Sequence, residues 1–148
     1  MTLTVTWLVR YGHVLAGGLW LGGYALLAFV MIPLLARHRG EVLQNLTITT
    51  VRVLTYAGTA TLAFGLLLIT RTRGVQGIMA FGEWGVIIIT CIIIAVTLLG
   101  LGDGALRPAV LRVNQTGDAK PARRFALIGL SLSVLAIGLM TRALYAVS

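Results

Sequence analysis

This sequence predicts an all-α integral membrane protein, an up-and-down bundle of four transmembrane helices joined by short loops. Three observations predict it. Hydrophobic residues make up 58% of the 148, and the mean hydropathy is +0.97. Charged residues are only 11%, against about a quarter in an ordinary soluble domain. The apolar residues fall into four blocks, each able to supply the roughly 20 residues that a spanning helix needs.

The first block runs from about residue 5 to 36 and ends at the basic turn Arg37-His38-Arg39-Gly40-Glu41. It is long for one span, so tilt or an overhang is expected. The second runs from about 43 to 69 and ends at Thr70-Arg71-Thr72-Arg73-Gly74. The third runs from about 78 to 102 around Val86-Ile87-Ile88-Ile89. In water that β-branched run would suggest a buried strand; in a block of this length it reads as a lipid-facing helix. Asp103-Gly104 then opens a loop expected to reach about Pro121, and the fourth helix is expected from about 124 to 147. One transmembrane domain accounts for the whole chain.

The net charge is +8. The basic residues sit mainly between apolar blocks, which points to topology and lipid headgroups rather than nucleic acid. Loops one and three hold Arg37, Arg39, Arg107, Arg112, Lys120, Arg123 and Arg124. The opposite side holds Arg71 and Arg73, with Arg10 and Arg142 near helix ends. The bias puts loops one and three in the cytoplasm and both termini outside, in a bacterial inner membrane. Cys91 is alone in an apolar run and reads as a small packing residue.

Polar groups at membrane depth need a reason. His13 lies about eight residues inside helix one, and Met140 about seven from the end of helix four. Both ends face the same side, so the two are expected at similar depth. Arg10, Arg71, Arg73 and Arg142 lie nearer that surface. An imidazole, a thioether and a ring of guanidinium groups suit one haem b, with His13 as ligand, Met140 as a second candidate and the arginines on the propionates. Gly18 and Gly22 offer a smooth face for a flat ring or another helix. The plainer alternatives are helix-packing glycines, snorkelling arginines, a core methionine and a hydrogen-bonded core histidine. Arg52 and Tyr56 share a face of helix two and can meet Glu41, Asp103 or a lipid phosphate. Trp7, Trp84 and Tyr145 read as interface anchors, and Trp20 as packed within the bundle. Glu83 and Asp103 lie at opposite ends of helix three and cannot act as an acid–base pair.

The stretch His13-Val-Leu-Ala-Gly-Gly-Leu-Trp20-Leu-Gly22-Gly23, followed by Pro33 and Arg37, resembles the first helix of the CopD-like copper-resistance membrane proteins. It is also similar to that of the HemJ-type protoporphyrinogen oxidases. The resemblance covers about 25 residues. The HemJ-like likeness implies haem b with its ligand role on His13. That family also relies on a lysine inside a later helix, whereas the one lysine here, Lys120, is expected in a loop. The CopD-like likeness implies copper handling by Met and His clusters; the methionines here are Met1, Met31, Met79 and Met140, without an MxxM pair. Three functions follow: a haem-b protein in electron transfer or haem-linked redox chemistry, a copper-transport protein, or a cofactor-free accessory subunit of a respiratory or photosynthetic complex. A homodimer or a larger membrane assembly is compatible with each.

Overall fold

The computed structural model describes residues 3–146. They form four long helices and one short one: α1 (Leu3–Arg37), α2 (Glu41–Arg71), α3 (Gly74–Met79), α4 (Glu83–Thr116) and α5 (Lys120–Ala143). All but α3 are long and apolar enough to cross a membrane. The protein is an integral membrane protein with the expected four-helix, up-and-down architecture. Both described ends, α3 and the 72–82 connection lie at one end of the bundle, called here the terminal end. The two three-residue turns, 38–40 and 117–119, lie at the other, the basic end.

The third and fourth helices differ from the sequence expectation. Residues from Ile78 to Gly82 do not belong to the third span: α3 ends at Met79, Phe81 takes a left-handed φ of 51°, and α4 starts at Glu83. The expected loop from Asp103 onward is helical up to Thr116. The fourth helix starts at Lys120 rather than near 124 and ends at Ala143; the expected end at Val147 lies outside the described residues.

Periodicity explains the extension. Leu106, Ala109, Val110 and Val113 recur at helical spacing, and all four are buried, against Ile32 and Leu35 of α1 and Val51 of α2 in one core cluster. Asp103-Gly104 and Pro108 resemble breakers, but the helix absorbs them in a wider π-turn, Gly102–Leu106. Proline 108 then sits in the first turn of a fresh α-segment, where its missing N–H costs little. The same device recurs in α1, where a π-turn at Leu27–Met31 precedes Pro33. Gly117, at φ 77°, closes α4 with its N–H on the Val113 carbonyl at 2.8 Å, the left-handed cap that glycine favours.

α1 and α4 reach about 50 Å at ~1.5 Å per residue, well beyond a hydrocarbon layer of about 30 Å. At the basic end Leu27, Ile32, Leu35, Val51, Leu106, Val110 and Val113 are fully enclosed. Tyr24 marks the floor of this region, and its hydroxyl donates to the Leu98 carbonyl at 3.0 Å. In α2 the threonines Thr47, Thr50, Thr59 and Thr61 each donate to a carbonyl four residues earlier, so their hydroxyls are satisfied without water.

Glycines set how closely the helices approach. A Cβ on Gly58 would lie 2.6 Å from the Trp20 ring, and one on Gly129 would enter the Tyr24 ring. Gly18 and Gly22 meet nothing within 4 Å. Gly58→Ala and Gly129→Ala are therefore expected to destabilise the detergent-solubilised protein by about 1–3 kcal/mol each through overpacking. Gly18→Ala and Gly22→Ala should leave its thermal midpoint unchanged, or raise stability by up to roughly 1 kcal/mol through the helix preference for alanine. A thermal-unfolding series over the four variants checks the contrast.

Candidate functional site

His13 is half-buried on α1, facing α2. Its Nδ1 lies 2.8 Å from the Thr61 carbonyl oxygen. A carbonyl only accepts, so in this contact Nδ1 carries the proton and donates. The neutral ring then keeps its lone pair on Nε2. Gly65, one turn after Thr61, makes the approach possible: a Cβ there would lie 3.1 Å from His13 Cε1. The neighbouring glycine contact is just as close, with a Cβ on Gly12 falling 2.8 Å from the Phe64 ring. Phe64 therefore fills the α1–α2 contact beside the imidazole.

The other expected site residues divide. Arg10 and Arg71 are exposed, and no polar partner holds either among the described residues. Both lie on the terminal side of His13 along the two helices that frame it. Arg73 and Arg142 are engaged elsewhere. The Arg73 guanidinium lies over the Trp84 ring, 5.4 Å from its centroid, and donates to the Ala146 carbonyl at 3.0 Å. It ties the 72–82 connection to the end of the chain. Arg142 pairs with Glu83 through Nη2 and Nε, at 2.6 and 2.7 Å from Oε1, joining the end of α5 to the start of α4.

Met140 packs beside Ile69, Trp84, Ile87, Ile88 and Cys91, in a cluster built mainly by α4 and the end of the chain. His13 instead has its described contacts on α2, at Thr61 and Gly65. Gly18 and Gly22 also separate from the imidazole. At about 100° per residue they project roughly 140° and 180° from His13 around α1, and their surroundings are open. A ring resting on that face is beyond the reach of His13. Met31 is buried near the basic end, 18 positions along the same helix, about 27 Å away at ~1.5 Å per residue.

The donor chemistry fits one axial nitrogen ligand. A ligating histidine ordinarily donates its second N–H to a carbonyl or carboxylate, which fixes the tautomer and the ring orientation. His13 makes that bond; Arg10 lies about one turn from it on α1, and Arg71 lies ten residues beyond Thr61 on α2, about 15 Å along the helix at ~1.5 Å per residue. Among the described residues no three His, Cys, Asp or Glu side chains gather as a metal cluster.

The two membrane-helix acids have structural partners. Glu83 is held by Arg142, and Asp103 accepts from Thr55 Oγ1 at 3.3 Å, so the two acids stay at opposite parts of α4. Arg52 is exposed. Trp20 is buried as expected, whereas Trp84 is also buried, beneath Arg73, and is no interface anchor. Trp7 stacks on Tyr11 at 5.6 Å and is exposed, as is Tyr145. Sequence reasoning missed Thr61, Gly65 and Phe64. A backbone carbonyl carries no residue signature, and a glycine in an apolar helix has many uses.

No family model, no curated protein and no solved structure matches this chain.

The Arg142–Glu83 pair is largely exposed, 62% and 42% by side chain, so screening should keep it weak. A double-mutant cycle on Arg142→Gln and Glu83→Gln is expected to give a coupling below about 1 kcal/mol that shrinks as salt rises. A coupling above about 3 kcal/mol would mark a desolvated pair instead.

Proposed function

We propose that this chain is a haem-b-binding integral membrane protein, serving electron transfer or haem-linked redox chemistry, with His13 as an axial ligand. One observation carries the reading: the bond from His13 Nδ1 to the Thr61 carbonyl leaves the Nε2 lone pair for a metal. The likeness of helix one to HemJ-type proteins points the same way.

In this reading α2 holds the imidazole through the Thr61 carbonyl, and Gly65 gives the ring its place. Arg10 and Arg71 pair with the propionates where the helices reach the headgroups. Arg73 and Arg142 are set aside for their structural partners, and Met140 for its core. Any further ligand to the iron would have to come from water or from a side chain of a second copy. Bound haem supplies one-electron exchange between ferric and ferrous iron. Loops one and three face the cytoplasm of a bacterial inner membrane and the termini face outward, which places His13 in the outer half of the bundle.

The distance from His13 to Met31, about 27 Å along α1 at ~1.5 Å per residue, disfavours a copper path through both.

Purification under conditions that retain cofactors, or reconstitution with haemin, tests the reading by absorption spectroscopy. A Soret band is expected, lost in His13→Ala and unchanged in Met140→Leu. A colourless wild-type protein after haemin reconstitution overturns the proposal, as does a His13→Ala spectrum identical to wild type. Gly65→Ala should press on the imidazole edge and weaken haem retention by about tenfold, the equivalent of ~1.4 kcal/mol, while Gly22→Ala leaves it unaltered.

A further inference from the structure

Away from the imidazole, the start of α5 carries a second feature. A shallow, open groove runs along one face of α5, lined by Lys120, Arg123, Arg124, Leu127, Ile128 and Leu132, all of that one helix. Its charged and apolar parts are segregated along the helix. The three cations fall within the first five residues of α5, at the basic end. The apolar wall begins at Leu127 and runs to Leu132, about 10–18 Å further along at ~1.5 Å per residue. Residues 120, 124, 127, 128 and 131 follow helical spacing and share one face. Ser131, also in the lining, is the only other polar side chain there.

The cations are unpaired. The one ion pair among the described residues is Arg142 with Glu83, at the opposite end of the bundle. The nearest acid in sequence, Asp118, uses Oδ1 to accept the Lys120 backbone N–H at 3.0 Å. Three positive side chains thus stand at the basic end of an open apolar strip on the same helix face. Zwitterionic headgroups leave that charge uncompensated. An anionic headgroup neutralises it, and its acyl chain can lie along the apolar strip beside it.

We propose that this groove binds an anionic phospholipid. Lys120, Arg123 and Arg124 hold the phosphate and its net negative headgroup, and one acyl chain lies along Leu127, Ile128 and Leu132. The site is independent of any cofactor at His13.

Native mass spectrometry of the full chain in detergent tests it, with phosphatidylglycerol and phosphatidylcholine of identical acyl chains. The wild type is expected to retain phosphatidylglycerol about tenfold more tightly. Lys120→Gln, Arg123→Gln and Arg124→Gln combined should abolish the preference. Arg107→Gln with Arg112→Gln, which removes charge elsewhere at the same end, should preserve it. Equal retention of the two lipids by the wild type overturns the proposal. So does a preference that survives the triple change, or one lost equally in the double control. Inorganic phosphate should not displace the lipid, and displacement at millimolar phosphate would mark a simple anion site instead.

A second measurement does not depend on the triple variant folding. A tryptophan introduced by Ser131→Trp should be quenched at least about twofold more by dibrominated phosphatidylglycerol than by its phosphatidylcholine counterpart. Phe29→Trp, exposed on α1 toward the same end, should show no such difference. Equal quenching ratios at the two positions would reject the groove as the site.

Discussion

The close approach of α1 to α2 is the constraint on which the rest depends. Lipid offers no hydrophobic drive between helices, so association rests on packing and on hydrogen bonds made inside the protein. Glycines on both helices supply the packing. Gly12 receives Phe64, Gly23 receives Leu54, Gly58 receives Trp20 and Gly65 receives His13. The bond from the imidazole to the Thr61 carbonyl forms at the terminal end of this seam. A larger residue at Gly65 would press on the ring and strain that bond. The candidate ligand is thus a consequence of helix packing, and its orientation is fixed before any metal arrives.

The two ends of the bundle do different work. At the basic end, α1 and α4 bury a continuous aliphatic core, each passing through a π-turn ahead of a proline. Such turns relieve the backbone where proline withdraws a donor. Toward the terminal end the outer surface of α1 is open, with Val14, Leu15 and Leu19 exposed. Stability concentrated at one end leaves the other free to hold a polar side chain at depth.

Much of this was legible in the sequence. Hydropathy gave four spans, and the basic clusters marked their turns. Trp20 was too deep to be an anchor, and the structure buries it against Gly58. Three things were hidden, each for a physical reason. The extension of α4 to Thr116 was masked by Asp103, Gly104 and Pro108, whose breaking tendency a π-turn cancels. The engagement of Arg73 and Arg142 depends on where the 72–82 connection and Glu83 come to rest, which no local pattern encodes. Equal depth is a coordinate along the membrane normal only; position around the bundle is set by packing, which seats Met140 among Ile69, Trp84 and Ile87 and brings His13 to Thr61. Helical spacing alone does place Gly18 and Gly22 opposite His13.

The central claim is that His13 is held with its proton on Nδ1 and its lone pair on Nε2. Nitrogen-15 magnetic resonance of the metal-free protein, labelled at histidine and assigned through His13→Ala, reads the tautomer directly. The account predicts that the neutral ring has Nδ1 protonated, with a coupling or shift signature of a hydrogen bond to a carbonyl, and Nε2 bare. A neutral ring carrying its proton on Nε2 would contradict it, because the contact with Thr61 would then have no donor and the lone pair would face the wrong helix.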